Sequence, residues 1–204
     1  MLSNSLTIAP VPESDPIAQK IIDATLEEVG IVGARRARLT DISKRAGVSQ
    51  ATLFRRFANK DALFEAVVVN EVQQFVTALQ LALEPYAEFP DRVAEGFAFS
   101  FDHVRGHEAL RRVFETEPDE VVRRLTTGGR YAIETSRDLL TLMVQSNAAR
   151  DRPELRDEAW LRVRMEIVVR LFWSLLLTPE GAIDTSSNEA TKEFARAHIL
   201  PLFS

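Results

Sequence analysis

The chain has 204 residues, enough for one large domain or a small domain joined to a larger one, and its 46% hydrophobic and 27% charged residues describe a folding globular protein. The absence of cysteine excludes disulfide scaffolds and thiolate metal or redox sites, and is compatible with a reducing cytoplasm. The net charge of −5 is unevenly placed: residues 1–60 carry +3 and residues 61–204 carry −8, the asymmetry expected where a nucleic-acid-binding segment precedes a regulatory or assembly domain.

In chain order, residues 1–15 read as a flexible tail, with Pro10 and Pro12 among polar residues and no basic start followed by an apolar stretch as in a signal peptide. From there helical periodicity dominates and strand-like alternation is almost absent, so the fold class is all-α. Asp15 is placed to cap a first helix starting at Pro16, which sets Ile17, Ile21, Ile22, Leu26 and Val29 on one face and is expected to end at Gly30. A short helix over 39–46 runs into Gly47-Val48-Ser49, and Ser49 is placed to cap a third helix over 50–57. Asn59 then caps a longer helix from Lys60 to about residue 87. Further helices are expected near 91–105, 107–116, 118–126, 130–149, 154–178 and 187–200, with breaks at Pro90, Gly106, Pro118, Gly128-Gly129, Pro153 and Pro179-Glu180-Gly181. The longest apolar run, 167–177, is interrupted by Arg170 and Ser174 and is too short to span a bilayer, so no membrane helix is expected. The domain reading is a three-helix module at 16–60 and a larger helical body at 61–204.

Residues 39–57 have the layout of a helix-turn-helix. Ile42, Ala46, Val48, Leu53 and Phe57 fall where two short helices meet each other and the first helix, with Gly47 permitting the turn. At about 100° per residue, the side of the third helix opposite Leu53 and Phe57 is centred on Ala51, Thr52 and Arg55, flanked by Phe54 and Arg56. In such motifs the start of the second helix enters the major groove. The pattern Asp41-Ile42-Ser43-x-x-Ala46-Gly47-Val48-Ser49-x-x-Thr52-Leu53-Phe54-x-x-Phe57-x-x-Lys60-x-x-Leu63 resembles the signature of the tetracycline-repressor (TetR) family of transcription regulators. The resemblance covers residues 16–65, and the rest of the chain agrees in length and helical count. It implies that Ser49, Gln50, Ala51, Thr52 and Arg55 face double-stranded operator DNA and that Lys60 contacts a phosphate. Three departures stand out. Phe54 occupies the usual place of a tyrosine whose hydroxyl holds a phosphate, and Arg56 is expected to substitute. Arg38 occupies the usual place of a hydroxyl cap, so either Thr40 caps a shorter helix or Arg38 supplies a phosphate contact as a charge. Arg35 and Arg36 sit in a long connection, either touching backbone or decorating the loop. Arg55 is the candidate for a bidentate guanine contact, with a phosphate contact as the alternative.

The resemblance further implies a homodimer through the last two long helices and a palindromic operator. The nearly all-round apolar character of 167–177 fits a helix covered on two sides, as in a dimer interface or a central core helix. Phe97, Phe101, Phe114, Tyr131, Met143, Trp160 and Trp173 are candidates to line a site for a small apolar effector, or else plain core. No cofactor is implied, and His103 and His107 share a helical spacing without a third metal ligand. Phosphate loops, nucleophile elbows and zinc pairs are absent from the sequence, so no enzyme is expected. The function read here is a cytoplasmic, sequence-specific regulator, a repressor whose effector lowers operator affinity through the fourth helix. The competing reading is a helical ligand-binding or interaction protein that keeps the motif without operator binding.

Overall fold

The computed structural model of the chain describes residues 15–126, 130–148 and 152–204, leaving aside the side chains of Glu120, Arg124, Leu125, Tyr131, Asn147, Ala148 and Pro153. Residues 1–14 of the tail expected at 1–15, the Gly128-Gly129 break and the side chain of Tyr131 therefore lie outside the described residues. Among the described residues there are helices and turns and no strand, so the fold is all-α. The chain divides into two compact units after Val72.

The first unit contains α1 (Pro16–Val32), α2 (Leu39–Arg45), α3 (Gln50–Arg56) and the start of α4 (Lys60–Leu83). Asp15 caps α1, its Oδ1 accepting from the amides of Ile17 and Ala18 at 3.0 and 3.1 Å. The helix does not stop at Gly30. It continues to Val32 and is closed by Gly33, whose φ of 83° suits glycine and whose amide donates to Val29 O at 2.9 Å. A single glycine inside a helix costs only about 1 kcal/mol, too little to end one whose next residues still find packing. Ile21, Ile22, Thr25 and Val29 of α1, Ile42 of α2, and Leu53 and Phe57 at α3 are all buried. At the rim, Arg45 Nη2 and Nε donate to Glu28 Oε2 at 2.8 and 3.1 Å, tying the end of α2 to α1.

The second unit holds the end of α4 with α5 (Phe89–Gly106), α6 (Glu108–Thr116), α7 (Pro118–Leu125), α8 (Arg130–Ala148), α9 (Glu158–Leu177) and α10 (Asn188–Phe194). Pro90 opens α5 instead of interrupting the chain, since a helix's first turn needs no amide from it. The two segments expected as long single helices are subdivided. Pro153–Arg156 forms a separate 3-10 turn before Asp157 caps α9, and α10 passes through a wide turn at Ala195–Ile199 and a 3-10 turn at Leu200–Phe203. α5 is the central element: Ala94, Phe97, Ala98 and Phe101 are buried, α10 packs along it, and Phe101 meets Phe172 of α9 at 4.8 Å between ring centroids. The final turns are held by Arg164 Nε donating to Leu202 O and Arg152 Nη2 to Phe203 O, both at 2.7 Å.

By length and composition α4 passes as a bilayer span, a helix that the search for uninterrupted apolar runs did not pick out. Its Leu63, Val67, Asn70, Leu79 and Leu83 are buried, while most of its other residues are exposed or half-buried. Leu53, with no exposed surface, joins two helices too short to stand alone. Leu53→Ala is expected to destabilise the N-terminal unit by about 2–5 kcal/mol, measured as faster amide exchange throughout α2 and α3.

Candidate nucleic-acid interface

The turn before α3 aims its side chains. Gly47 takes a φ of 67°, which permits the reversal after α2, and the Ser49 hydroxyl accepts from the Thr52 amide at 3.1 Å, capping α3. Ser49 Oγ lies 2.9 Å from Thr52 Oγ1, which in turn accepts from Arg55 Nη2 at 3.2 Å. These three residues form a hydrogen-bonded line along the outer side of α3. Gln50, Ala51, Phe54 and Arg55 are exposed and Thr52 is half-buried, while Leu53 and Phe57 turn inward. Phe54 is 49% exposed, a large apolar ring with no hydroxyl.

The basic residues of 31–60 separate into two groups. Arg45 is bound to Glu28, with a longer ion pair to Glu27 at 3.4 Å. Arg56 ion-pairs through Nε with Asp15, joining the end of α3 to the cap of α1, so the residue expected to replace a tyrosine hydroxyl is engaged within the domain. Lys60 donates from Nζ to the carbonyls of Ala34, Arg35 and Ala37 at 2.9, 3.3 and 2.7 Å. Nothing in the sequence marks these three partners, because each lies at least seventeen positions away on another element. Arg35, Arg36, Arg38, Lys44 and Arg55 are exposed as well, Arg55 with its bond to Thr52. Arg38 occupies the cap position of α2 without a side-chain capping bond, and Thr40 lies inside the first turn, its carbonyl accepting from the Ser43 hydroxyl at 3.0 Å. The alternative in which Thr40 caps a shorter helix is thereby removed.

In the second unit an apolar cavity of about 100 Å³ lies between the end of α4, α5, α8, α9 and the final turns. Phe97 and Met143 line it, together with Leu79, Leu83, Gly96 and Val168, which the sequence did not single out. Phe101, Phe114, Trp160 and Trp173 do not line it. Phe101 is fully buried against Phe97 and Phe172, Trp160 lies under the Arg164 guanidinium at 3.5 Å, and Trp173 stacks edge-on to Phe172. Both polar side chains at the cavity are occupied elsewhere: Ser100 donates to Gly96 O at 2.7 Å, and Arg92 donates to Leu83 O and Tyr86 O at 2.9 and 3.1 Å. Among the described residues no cluster of three or more potential metal ligands occurs.

The N-terminal unit is thus a helix-turn-helix domain carried by an all-helical chain. Residues 21–67 match the family model described as bacterial regulatory proteins, tetR family. The chain is similar to that family over those residues. It is 30% identical over 101 residues to the HTH-type transcriptional regulator BetI of Cronobacter sakazakii, covering 47% of this chain and 48% of that protein. It is 24% identical over 102 residues to the fatty acid metabolism regulator protein of Bacillus subtilis, covering 50% and 53%. The chain therefore spans about half the length of the curated relatives it matches. Solved structures share the fold over nearly the whole chain. The TetR family repressor AlkX from a Dietzia species matches with a TM-score of 0.67 at 18% identity, covering 93% of this chain and 98% of that one. The transcriptional repressor QsdR of R. erythropolis matches with a TM-score of 0.61 at 20% identity, covering 92% and 94%.

The Asp15 cap gives this domain a measurable acid response. The Ala18 amide bond, with help from Arg56, holds the Asp15 carboxyl below its ordinary value. A lowered folded-state pKa contributes stability above the unfolded value of about 3.9, and that contribution is lost as pH falls through the lower folded value. Acidification from pH 5 to pH 2 is expected to weaken the N-terminal unit more in the unaltered chain than in Asp15→Asn, read as the difference between their melting temperatures.

Proposed function

We propose that the chain is a sequence-reading transcription regulator that binds double-stranded operator DNA in the cytoplasm as a homodimer, and that it acts as a repressor released by a small apolar effector. The observation that carries this reading is the outward line Ser49–Thr52–Arg55 on α3, held by internal hydrogen bonds on a helix whose opposite side is buried. Such a surface offers hydroxyl and guanidinium groups at the spacing of base edges, with exposed Arg36, Arg38 and Lys44 nearby in sequence to neutralise phosphate.

Support for a dimer comes from α9. Val163 is 59% exposed and Ile167 39%, one turn apart on a helix whose other side is core, and a second copy is the occupant that a two-fold arrangement of reading heads requires. A homodimer of that kind matches a palindromic site. Support for an apolar effector comes from the cavity wall, which is almost entirely aliphatic and aromatic, with the Ser100 hydroxyl bonded to Gly96 O and Arg92 as its one charged neighbour. Its volume lies below the range of about 300–1,000 Å³ typical of ligand pockets, so the effector enlarges it on binding. Leu79 and Leu83 belong to α4, which also begins with Lys60, so enlargement acts on a helix that carries residues of the DNA-binding unit.

Selection from random duplex DNA tests the reading. The expected result is an enriched inverted repeat, and Arg55→Ala is expected to weaken binding to it by about 1–3 kcal/mol while relaxing preference at one position in each half-site. Failure of the unaltered chain to enrich any sequence would reject operator recognition. A Cβ at Gly96 meets Leu83 and Leu79 at ordinary distances of 3.5 and 3.7 Å, so the backbone there accepts a side chain, and Gly96→Leu is expected to occupy part of the cavity. Straight-chain alkanols that release the unaltered protein from its site are expected to lose that effect on Gly96→Leu. Equal release from both would place the effector elsewhere.

A further inference from the structure

The exposed surface of α3 has an apolar row beside its polar one. Ala51 and Phe54 lie three positions apart, a spacing that makes them neighbours on a helix, and they flank the hydroxyl–guanidinium row Ser49–Thr52–Arg55. Both are exposed. Phe54, 49% exposed, is the one aromatic side chain left exposed among the described residues, where every other Phe, Tyr or Trp side chain is buried or half-buried. The opposite flank of α3 is different: Arg56 is drawn back into an ion pair with Asp15. A ring without a hydroxyl has nothing to donate to a phosphate oxygen, so Phe54 cannot make the phosphate contact that the resemblance places here. It has no bond to offer the nitrogen and oxygen edges of the bases either. One group in the major groove suits it, the C5-methyl of thymine, which is the apolar feature of the base-pair edges there.

We infer that Phe54 is a specificity-determining residue that reads a thymine C5-methyl group in each half-site of the operator, with the small Ala51 side chain extending its apolar surface. The inference rests on the DNA-binding reading above and adds to it a second kind of base recognition. The row Ser49–Thr52–Arg55 chooses bases by hydrogen bonds, and Phe54 chooses by a methyl group. Bringing an exposed ring against that methyl removes apolar surface from water on both partners. A cytosine at the same place lacks the methyl and brings an amino donor that the ring cannot satisfy. Contact of Phe54 with sugar and phosphate alone would carry no such preference, because the backbone is the same at every base pair.

The probe is the site selected from random duplex DNA, remade with deoxyuridine in place of thymine, a change that deletes the methyl and keeps every hydrogen-bonding group of the base. Thymines are replaced one position at a time, in both half-sites together, and affinities are compared at one salt concentration. For the full unaltered chain, one position is expected to weaken binding by about fourfold per methyl, since a methyl removes about as much apolar surface from water as a methylene. Phe54→Ala and Phe54→Gln, both at an exposed position and both without the ring, are each expected to bind the thymine and deoxyuridine forms of that site equally. Either variant suffices if the other fails to fold, and the comparison on the unaltered chain needs neither. Three results would overturn the proposal while leaving operator recognition standing: a selected site with no thymine in its half-sites, deoxyuridine tolerated at every position, or a thymine preference that survives undiminished in the variants. The second of these, joined to equal weakening of all sites by Phe54→Ala, would assign the ring to the sugar-phosphate backbone. Failure of the unaltered chain to select any sequence would instead reject the DNA-binding reading, and this inference with it.

Discussion

The burial of Ile42 and Leu53 against the apolar side of α1 is the constraint on which the N-terminal unit depends. α2 and α3 have seven residues each, well below the length at which a helix holds its shape alone. Their stability is tertiary. α1 supplies Ile21, Ile22 and Val29 as the surface on which they settle, and the positive φ of Gly47 lets the second helix turn back onto the first. The direction of the outward face of α3 is then fixed by what its inward face must bury.

Charge is distributed by the same logic. The sequence shows a block of positive residues before an acidic body, and that block suggests a single electrostatic patch. Within the fold, Arg45, Arg56 and Lys60 are bonded to Glu28, Asp15 and three backbone carbonyls. These contacts tie α2 to α1, α3 to the start of α1, and α4 to the α1–α2 connection. Positive charge therefore serves two purposes in this domain, joining its elements and leaving a smaller exposed set outside. A charge count cannot separate these purposes, because the acceptors are distant in sequence or belong to the backbone.

Much of the architecture was legible because it follows from local rules. Asp15 and Ser49 as caps, Gly47 as the turn, and the apolar stripe of α1 each depend on neighbours within a few positions. The TetR resemblance was equally local, lying within residues 16–65. The end of α1 was misplaced at Gly30 because packing outweighs the small helical penalty of one glycine. The cavity was the least legible part. Aromatic residues were chosen for size, yet Phe101, Trp160 and Trp173 fill space against other rings or a guanidinium, and aliphatic residues from several helices form much of the wall. Which side chain borders a void is decided by the relative rotation of packed helices, which a one-dimensional pattern does not carry.

The division of α3 into an inward pair, Leu53 and Phe57, and an outward set, Gln50, Ala51, Thr52 and Arg55, bears on which positions can change without unfolding the domain. Substitutions on the outward set leave the buried frame untouched and so cost little folded population. The Thr52 hydroxyl complicates that freedom, because it is shared between Ser49 and Arg55. Replacing Thr52 alters how Arg55 is presented. The outward face therefore behaves as a linked row and not as a set of independent positions.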